Sequence, residues 1–344
     1  MNKWLSAPRH LGTSAPRHRA NRATHRLLAH ILFLILPFCA SAQPVSDLRE
    51  ARVSFSPHGE ALPLILHELR TARHSVDVAM FYLSHPDLAD ALCFLAQQRG
   101  VSVRILTGSW MDTPAHRPLL EHLAQSGVSI HVLPLPGEAR MHLKCAVIDG
   151  ETVIAGTANW TPTAFEQYFE DTLIIRSKEL GRMYLGLMES LRAEAEPFCS
   201  QSYDIQPPGR SRFPEIKRYE ISKRSDHLQA PRMRVIDDIR EAAVYFLPGR
   251  EGIRRLLSQA NAATQRIDIG MYLVNDPEVT QALIAIAREG KVKIRLLIDS
   301  GMLAGSLLAL VQELWEAGID VYYYQKDREA LHLKTAIIDS RYVW

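Results

Sequence analysis

Two short phrases carry side chains suited to handling a phosphate: MHLKCAVIDG, with His142 and Lys144, and LHLKTAIIDS, with His332 and Lys334. In an extended strand, residues i and i+2 point to the same side. Each His therefore shares a face with its Lys, while Leu143 and Cys145 turn toward the core. A His held beside a fixed cation is an anion site that contains a nucleophile or a proton donor. Five residues after each Lys stands an Asp, Asp149 or Asp339. Its parity with the His is odd, so its expected part is to hold the turn at the strand end. Next comes AGTANW. Gly156 lets the backbone approach a ligand, and Thr157 and Asn159 offer side-chain donors to phosphate oxygens. Farther on, QYFED brings Glu170 and Asp171. A carboxylate there can hold a His ring nitrogen and fix its tautomer.

The elements that must position these residues occur twice. SVDVAMFYLSHPDLADAL (75–92) matches RIDIGMYLVNDPEVTQAL (266–283), VSVRIL (101–106) matches VKIRLL (292–297), and LAQSGVSIHVL (123–133) matches LWEAGIDVYYY (314–324). The offset is 191 through most of this and 190 at His142 and His332. The chain thus reads as two copies of one unit of about 140 residues. Two matching His-x-Lys phrases make chance a poor account of either.

Within a copy, strands and helices alternate. SVDVAMFYL reads as a strand and PDLADALCFLAQQRG as a helix with a Gly stop. VSVRILTG is a strand, PLLEHLAQSG a helix, VSIHVLPL, HLKCAVIDG and TVIAGTA strands, and SKELGRMYLGLMESLRAEA a long helix. The expected fold is α/β: two tandem units, each a mixed sheet flanked by helices on both faces, related by pseudo-two-fold symmetry. The boundaries are 43–195 for the first unit, 196–241 for a charged, Pro-containing linker and 242–344 for the second unit.

Residues 1–42 read as a signal peptide. Lys3, Arg9, Arg17, Arg19, Arg22 and Arg26 precede the apolar run LLAHILFLILPFC and an ASA site, and no acid occurs among them. An uncleaved anchor and a mitochondrial presequence are the alternatives. Removing those six basic residues leaves 34 Lys and Arg against 38 acids, a net charge near −4. That balance counts mildly against a dedicated nucleic-acid binder. Cys93 and Cys145 sit in apolar runs and read as core, Cys199 stands apart, and no Cys/His spacing resembles a zinc site.

His-x-Lys-x4-Asp followed by Gly-Ser/Thr-x-Asn resembles the signature of the phospholipase D superfamily. HLKCAVIDGETVIAGTAN matches it in full, and duplication of such a unit is that family's usual plan. The resemblance implies a site with His142, Lys144, Asp149, His332, Lys334 and Asp339, with Glu170 as the acid that orients a histidine. It implies that Lys144, Lys334, Thr157 and Asn159 bind the substrate phosphate. One His would attack phosphorus to give a phosphohistidine, and the other would protonate the leaving alcohol and then activate water. His142 is taken as the nucleophile and His332 as the acid. No cofactor and no metal are implied. In the second copy the equivalent of Asn159 would fall near position 349, past Trp344. This reading predicts an incomplete second copy, an exposed apolar sheet edge and weakened activity.

The superfamily includes lipases, lipid synthases, nucleases and inactive members, and the motif does not choose among them. Export, the acidic balance and the duplicated form favour an exported phosphodiesterase acting on phospholipid headgroups, with a nuclease acting on DNA or RNA as the alternative. An inactive module that binds lipid or a polyanion is the third reading. The expected partners are a phospholipid or other phosphodiester, with nucleic acid as the alternative, and a membrane surface. The expected form is a monomer with an intrachain pseudo-dimer. Trp110, Met111 and Trp160 are candidates to line the pocket, with packing as the competing role. His116 and His122 are expected on a helix surface.

Overall fold

The computed structural model describes residues 45–57, 59–137, 139–199, 234–236, 239–324 and 329–344. The leader and most of the linker lie outside the described residues. The first half runs β1 (Glu50–Ser56), α1 (Ala61–Thr71), β2 (Ser75–Met80), α2 (Pro86–Arg99), β3 (Ser102–Gly108), α3 (Arg117–Gln125), β4 (Ser129–Leu133), β5 (Lys144–Ile148), β6 (Thr152–Gly156), α4 (Pro162–Glu166), β7 (Tyr168–Arg176), α5 (Lys178–Ala193) and β8 (Glu196–Pro197). The second half runs β9 (Arg234–Ile236), α6 (Glu251–Asn261), β10 (Arg266–Met271), α7 (Pro277–Glu289), β11 (Lys293–Asp299), α8 (Ser306–Glu316), β12 (Asp320–Tyr324), β13 (Ala330–Leu331), β14 (Lys334–Ile338) and β15 (Tyr342–Val343).

Local chemistry sets the helix ends. Pro86 and Pro277 open α2 and α7, where a missing N–H costs nothing. Gly100 and Gly290 close them in the left-handed region. Both sheets are mixed. In the first, β2, β3 and β4 run parallel and β5 returns antiparallel to β2, giving the order β8-β4-β3-β2-β5-β6-β7-β1-β9. In the second, β10, β11 and β12 run parallel and β14 returns antiparallel to β10, giving β12-β11-β10-β14-β15.

Strand parity divides the first core into two layers. Ala146 and Ile148 pack with Ile65, Leu69, Leu88 and Leu92 of α1 and α2. Cys145 and Val147 pack with Leu180 and Met188 of α5 on the opposite face. In the second half Ile267, Leu296 and Ile338 pack with Leu283, Ile284 and Leu314 of α7 and α8. The opposite face there presents Leu297 and Tyr322 to solvent. Both ends of the expected linker belong to strands: β8 pairs with β4, and β9 pairs with β1. Those positions are main-chain additions to the first sheet and not free coil.

One pairing joins the halves where it matters. β6 last pairs with β7 at Gly156 and Thr172, and the chain then turns away. The vacated edge of β7 at Tyr168 and Phe169 is taken by β13, parallel, through Ala330 and Leu331. The next residue is His332, whose N–H donates to the Phe169 carbonyl at 3.0 Å.

Candidate active site

β13 therefore delivers the second-half His to a strand of the first half. Glu170, 1% exposed, lies one step along β7. Its two carboxylate oxygens are each 2.8 Å from Nδ1 of His332. The pair leaves Nε2 of His332 as the free ring nitrogen. Glu170 thus sits on a His ring nitrogen, the place expected for a His-orienting acid, and the His it holds belongs to the other half.

The two lysines are built alike. Nζ of Lys144 donates to the His142 carbonyl at 3.0 Å and lies 4.9 Å from the Phe81 ring centre. Nζ of Lys334 donates to the His332 carbonyl at 2.8 Å and lies 5.5 Å from the Tyr272 ring centre. Those rings are placed by main-chain bonds that extend the strand pairing: Phe81 N–H donates to Leu143 O, and Tyr272 N–H donates to Leu333 O. The Phe81 ring packs on His142 at 4.6 Å between centres and the Tyr272 ring on His332 at 5.1 Å. An ammonium has three protons, so each Lys keeps donors for an anion.

Burial, with Lys334 pressing on Lys144 and His142, sets the electrostatics. Lys144 is lowered to about 7, first by desolvation and then by Lys334. Lys334 is lowered to about 8 by desolvation, with Glu170 and Asp171 opposing the shift. His142 is lowered to about 4, first by desolvation and then by Lys144, Lys334 and His332. His142 is exposed as a residue, and the neighbouring cations lower its pKa in the same direction as desolvation. At neutral pH the His142 imidazole is uncharged and has a lone pair to offer. Among the described residues no side chain hydrogen-bonds to that ring.

Three sequence assignments change. Asp149 and Asp339 do not face the site. Each adopts a positive φ, 52° and 51°, and its carboxylate collects main-chain N–H groups from the start of the neighbouring strand. Asp149 accepts from Arg73, His74 and Ser75 at 2.8–2.9 Å. Asp339 accepts from Thr264, Gln265 and Arg266 at 2.8–3.0 Å. These are turn-holding roles, which the odd parity with His implies and which remove both residues from the chemistry. The Thr157 hydroxyl, expected to meet phosphate, is engaged by Asp171 instead. Its single proton goes to Oδ1 of Asp171 at 3.0 Å, and its oxygen accepts the Asp171 N–H at 2.9 Å. Gly156 permits this close approach, since a Cβ there would lie 2.3 Å from the Asp171 carbonyl.

Asn159 remains available. Its Oδ1 is buried with no partner, and among the described residues nothing accepts from its NH2. Met111 and Trp160 are core residues, whereas Trp110 backs the site by donating Nε1–H to the Phe81 carbonyl at 2.6 Å. His116 packs on Tyr82 and bonds Thr113, and His122 is half-buried on α3. A hollow of about 560 Å³ between α1 and α2, lined by Phe94, Arg70 and Asp90, contains none of the site residues. Sequence reading missed Phe81, Tyr272 and the Asp171 clamp. The offset of 191 between Phe81 and Tyr272, each next to a strand end, was the available signal.

Comparison with known proteins bears on the family and the fold. A family profile described as "Cardiolipin synthase, PLD-like domain" matches residues 65–192 and 256–344, one stretch in each half. Human mitochondrial cardiolipin hydrolase is 33% identical over 174 residues, covering 50% of this chain and 66% of that protein. A phospholipase D of Rickettsia felis is 30% identical over 143 residues, covering 41% of this chain and 70% of that protein. The crystal structure of phosphatidylserine synthase from Haemophilus influenzae shares the fold, with a TM-score of 0.59 at 14% identity over 87% of this chain and 78% of that one.

Proposed function

The chain belongs to the phospholipase D-like family, and from that premise we propose that it hydrolyses phospholipid headgroup diesters through a phosphohistidine formed on His142. The observation that carries the reading is the convergence of the two His-Lys pairs, with Lys334 and His332 acting on His142 and Lys334 on Lys144, beside a carboxylate that holds one of the two imidazoles. The similar proteins named for cardiolipin hydrolysis and phospholipase D activity, and the acidic balance of 43–344, support a lipid substrate.

In this mechanism Lys144, Lys334 and Asn159 hold the non-bridging oxygens as charge builds on them. The neutral imidazole of His142 attacks phosphorus and a P–N bond forms. The P–O bond to the headgroup breaks, and Nε2 of His332 gives its proton to the departing oxygen. Glu170, on Nδ1–H, compensates the charge on that ring while it carries two protons. Water then enters on the His332 side, His332 takes its proton, and the P–N bond breaks. The products are the alcohol and a phosphate monoester. No step in this sequence calls for a metal. The leader 1–42 supports export of the mature chain to the periplasm or the medium.

The test is to assay phosphatidylcholine, phosphatidylglycerol and single-stranded DNA side by side with excess EDTA. Headgroup release that survives EDTA is the expected result. DNA cleavage without headgroup release would replace this reading with the nuclease one, and silence on all three from folded protein would leave a binding module.

A further inference from the structure

The two walls of the site differ at one pair of positions. The 191-residue offset aligns Gly108-Ser109-Trp110-Met111 with Asp299-Ser300-Gly301-Met302. Each stretch winds into a short 3-10 turn with a buried methionine, Met111 or Met302. On the first side, Trp110 packs 4.7 Å from Phe81, and Arg140 lies over the Trp110 ring at 5.9 Å. The indole needs glycine beneath it, since a Cβ on Gly108 would lie 2.1 Å from the ring. On the second side the pair is exchanged. Asp299 stands in the glycine place, with its carboxylate accepting from Gly301 N–H at 2.9 Å and Leu331 N–H at 3.0 Å. Gly301 stands where the indole would be. Among the described residues a Cβ there would meet only Asp299 Oδ1 within 4 Å, at 3.1 Å. Phe81, beside the Trp110 indole, is half-buried, whereas Tyr272 in the same place is 42% exposed.

We propose that Tyr272 and the space over Gly301 form the leaving-group subsite, and that it takes a large, uncharged alcohol. This rests on the proposed mechanism, in which His332 protonates the departing oxygen. Tyr272 packs on His332, so the group attached to that oxygen meets this wall and not the one closed by Trp110. A planar or apolar group gains by lying on an exposed Tyr ring. A cationic headgroup such as choline gains less, because the Lys334 ammonium already lies 5.5 Å from the Tyr272 ring centre.

The test uses two phosphatidyl alcohols in detergent micelles, phosphatidylmethanol and phosphatidyl-(1-naphthylmethanol), which share everything but the leaving group. Phosphatidic acid release gives kcat/KM for each. Wild type is expected to prefer the naphthylmethyl ester at least tenfold. Gly301→Trp should lower that ratio at least tenfold, and Tyr272→Ala at least fivefold, whereas Trp110→Gly should leave it within twofold. An unchanged ratio in both Gly301→Trp and Tyr272→Ala, with turnover intact, would overturn the subsite alone, as would an equal shift in Trp110→Gly. Should Gly301→Trp not fold, Tyr272→Ala decides. Wild-type failure on both esters, with single-stranded DNA cleaved, would overturn the phospholipid reading and the subsite together.

Discussion

Glu170 and His332 are 162 residues apart in sequence, and their carboxylate and Nδ1 meet at 2.8 Å. The contact exists because β13 adds to the edge of β7 that β6 leaves free. A strand register thus carries the second-half His to the first-half acid.

If Glu170 fixes the working tautomer of His332, Glu170→Gln should lower kcat by about a hundred- to ten-thousandfold. The isosteric amide should leave the circular dichroism spectrum and melting temperature close to wild type. Turnover within tenfold of wild type would remove Glu170 from the mechanism.

The pH profile follows from the signs of the shifts. His142 must be neutral to attack, so kcat/KM should fall on the acid side with a midpoint about 4. Lys144 must be charged to hold phosphate, so it should fall on the basic side from about 7, with Lys334 adding a second loss about 8. Arg stays protonated throughout this range. Lys144→Arg, though slower, should therefore lose the limb about 7. A basic limb unmoved by that change would argue against Lys144 as its source.

Much of this was legible in the sequence, and the reasons differ by element. The duplication was plain because strands and helices recur at a fixed offset, and parity alone put His and Lys on one face. β7 was not legible. Its run YFEDTLIIR is broken by two adjacent acids, one for His332 and one for Thr157, so the apolar period fails where the function sits. Thr157 was misread because composition offers a hydroxyl but cannot show that its one proton is committed. Which half supplies the acid to which His depends on register across the chain, and no local pattern encodes that.

The turn role of Asp149 predicts a stability effect. Burial raises its pKa, but the main-chain N–H groups of Ser75, His74 and Arg73 together lower it. Asp149→Ala should cost about 2 kcal/mol in chemical denaturation, since it orphans donors at a left-handed position. Turnover per folded molecule should persist. A stable but inactive variant would return Asp149 to the chemistry.

The Asp171 clamp should show in kinetics. Thr157→Ser keeps the hydroxyl and should stay near wild type. Thr157→Val removes it and loosens the turn that carries Asn159, which should cost about ten- to a hundredfold in kcat. Equal activity in both variants would show that the clamp does not position Asn159.

The central claim is a covalent phosphorus bond to His142. The direct measurement is to mix enzyme with a radiolabelled phosphatidyl substrate, quench in alkali within the turnover time and map the labelled peptide by mass spectrometry. The expected result is an acid-labile, base-stable label from the phosphatidyl group on His142, absent from His142→Ala. Label on His332, or steady turnover with no labelled histidine, would contradict it.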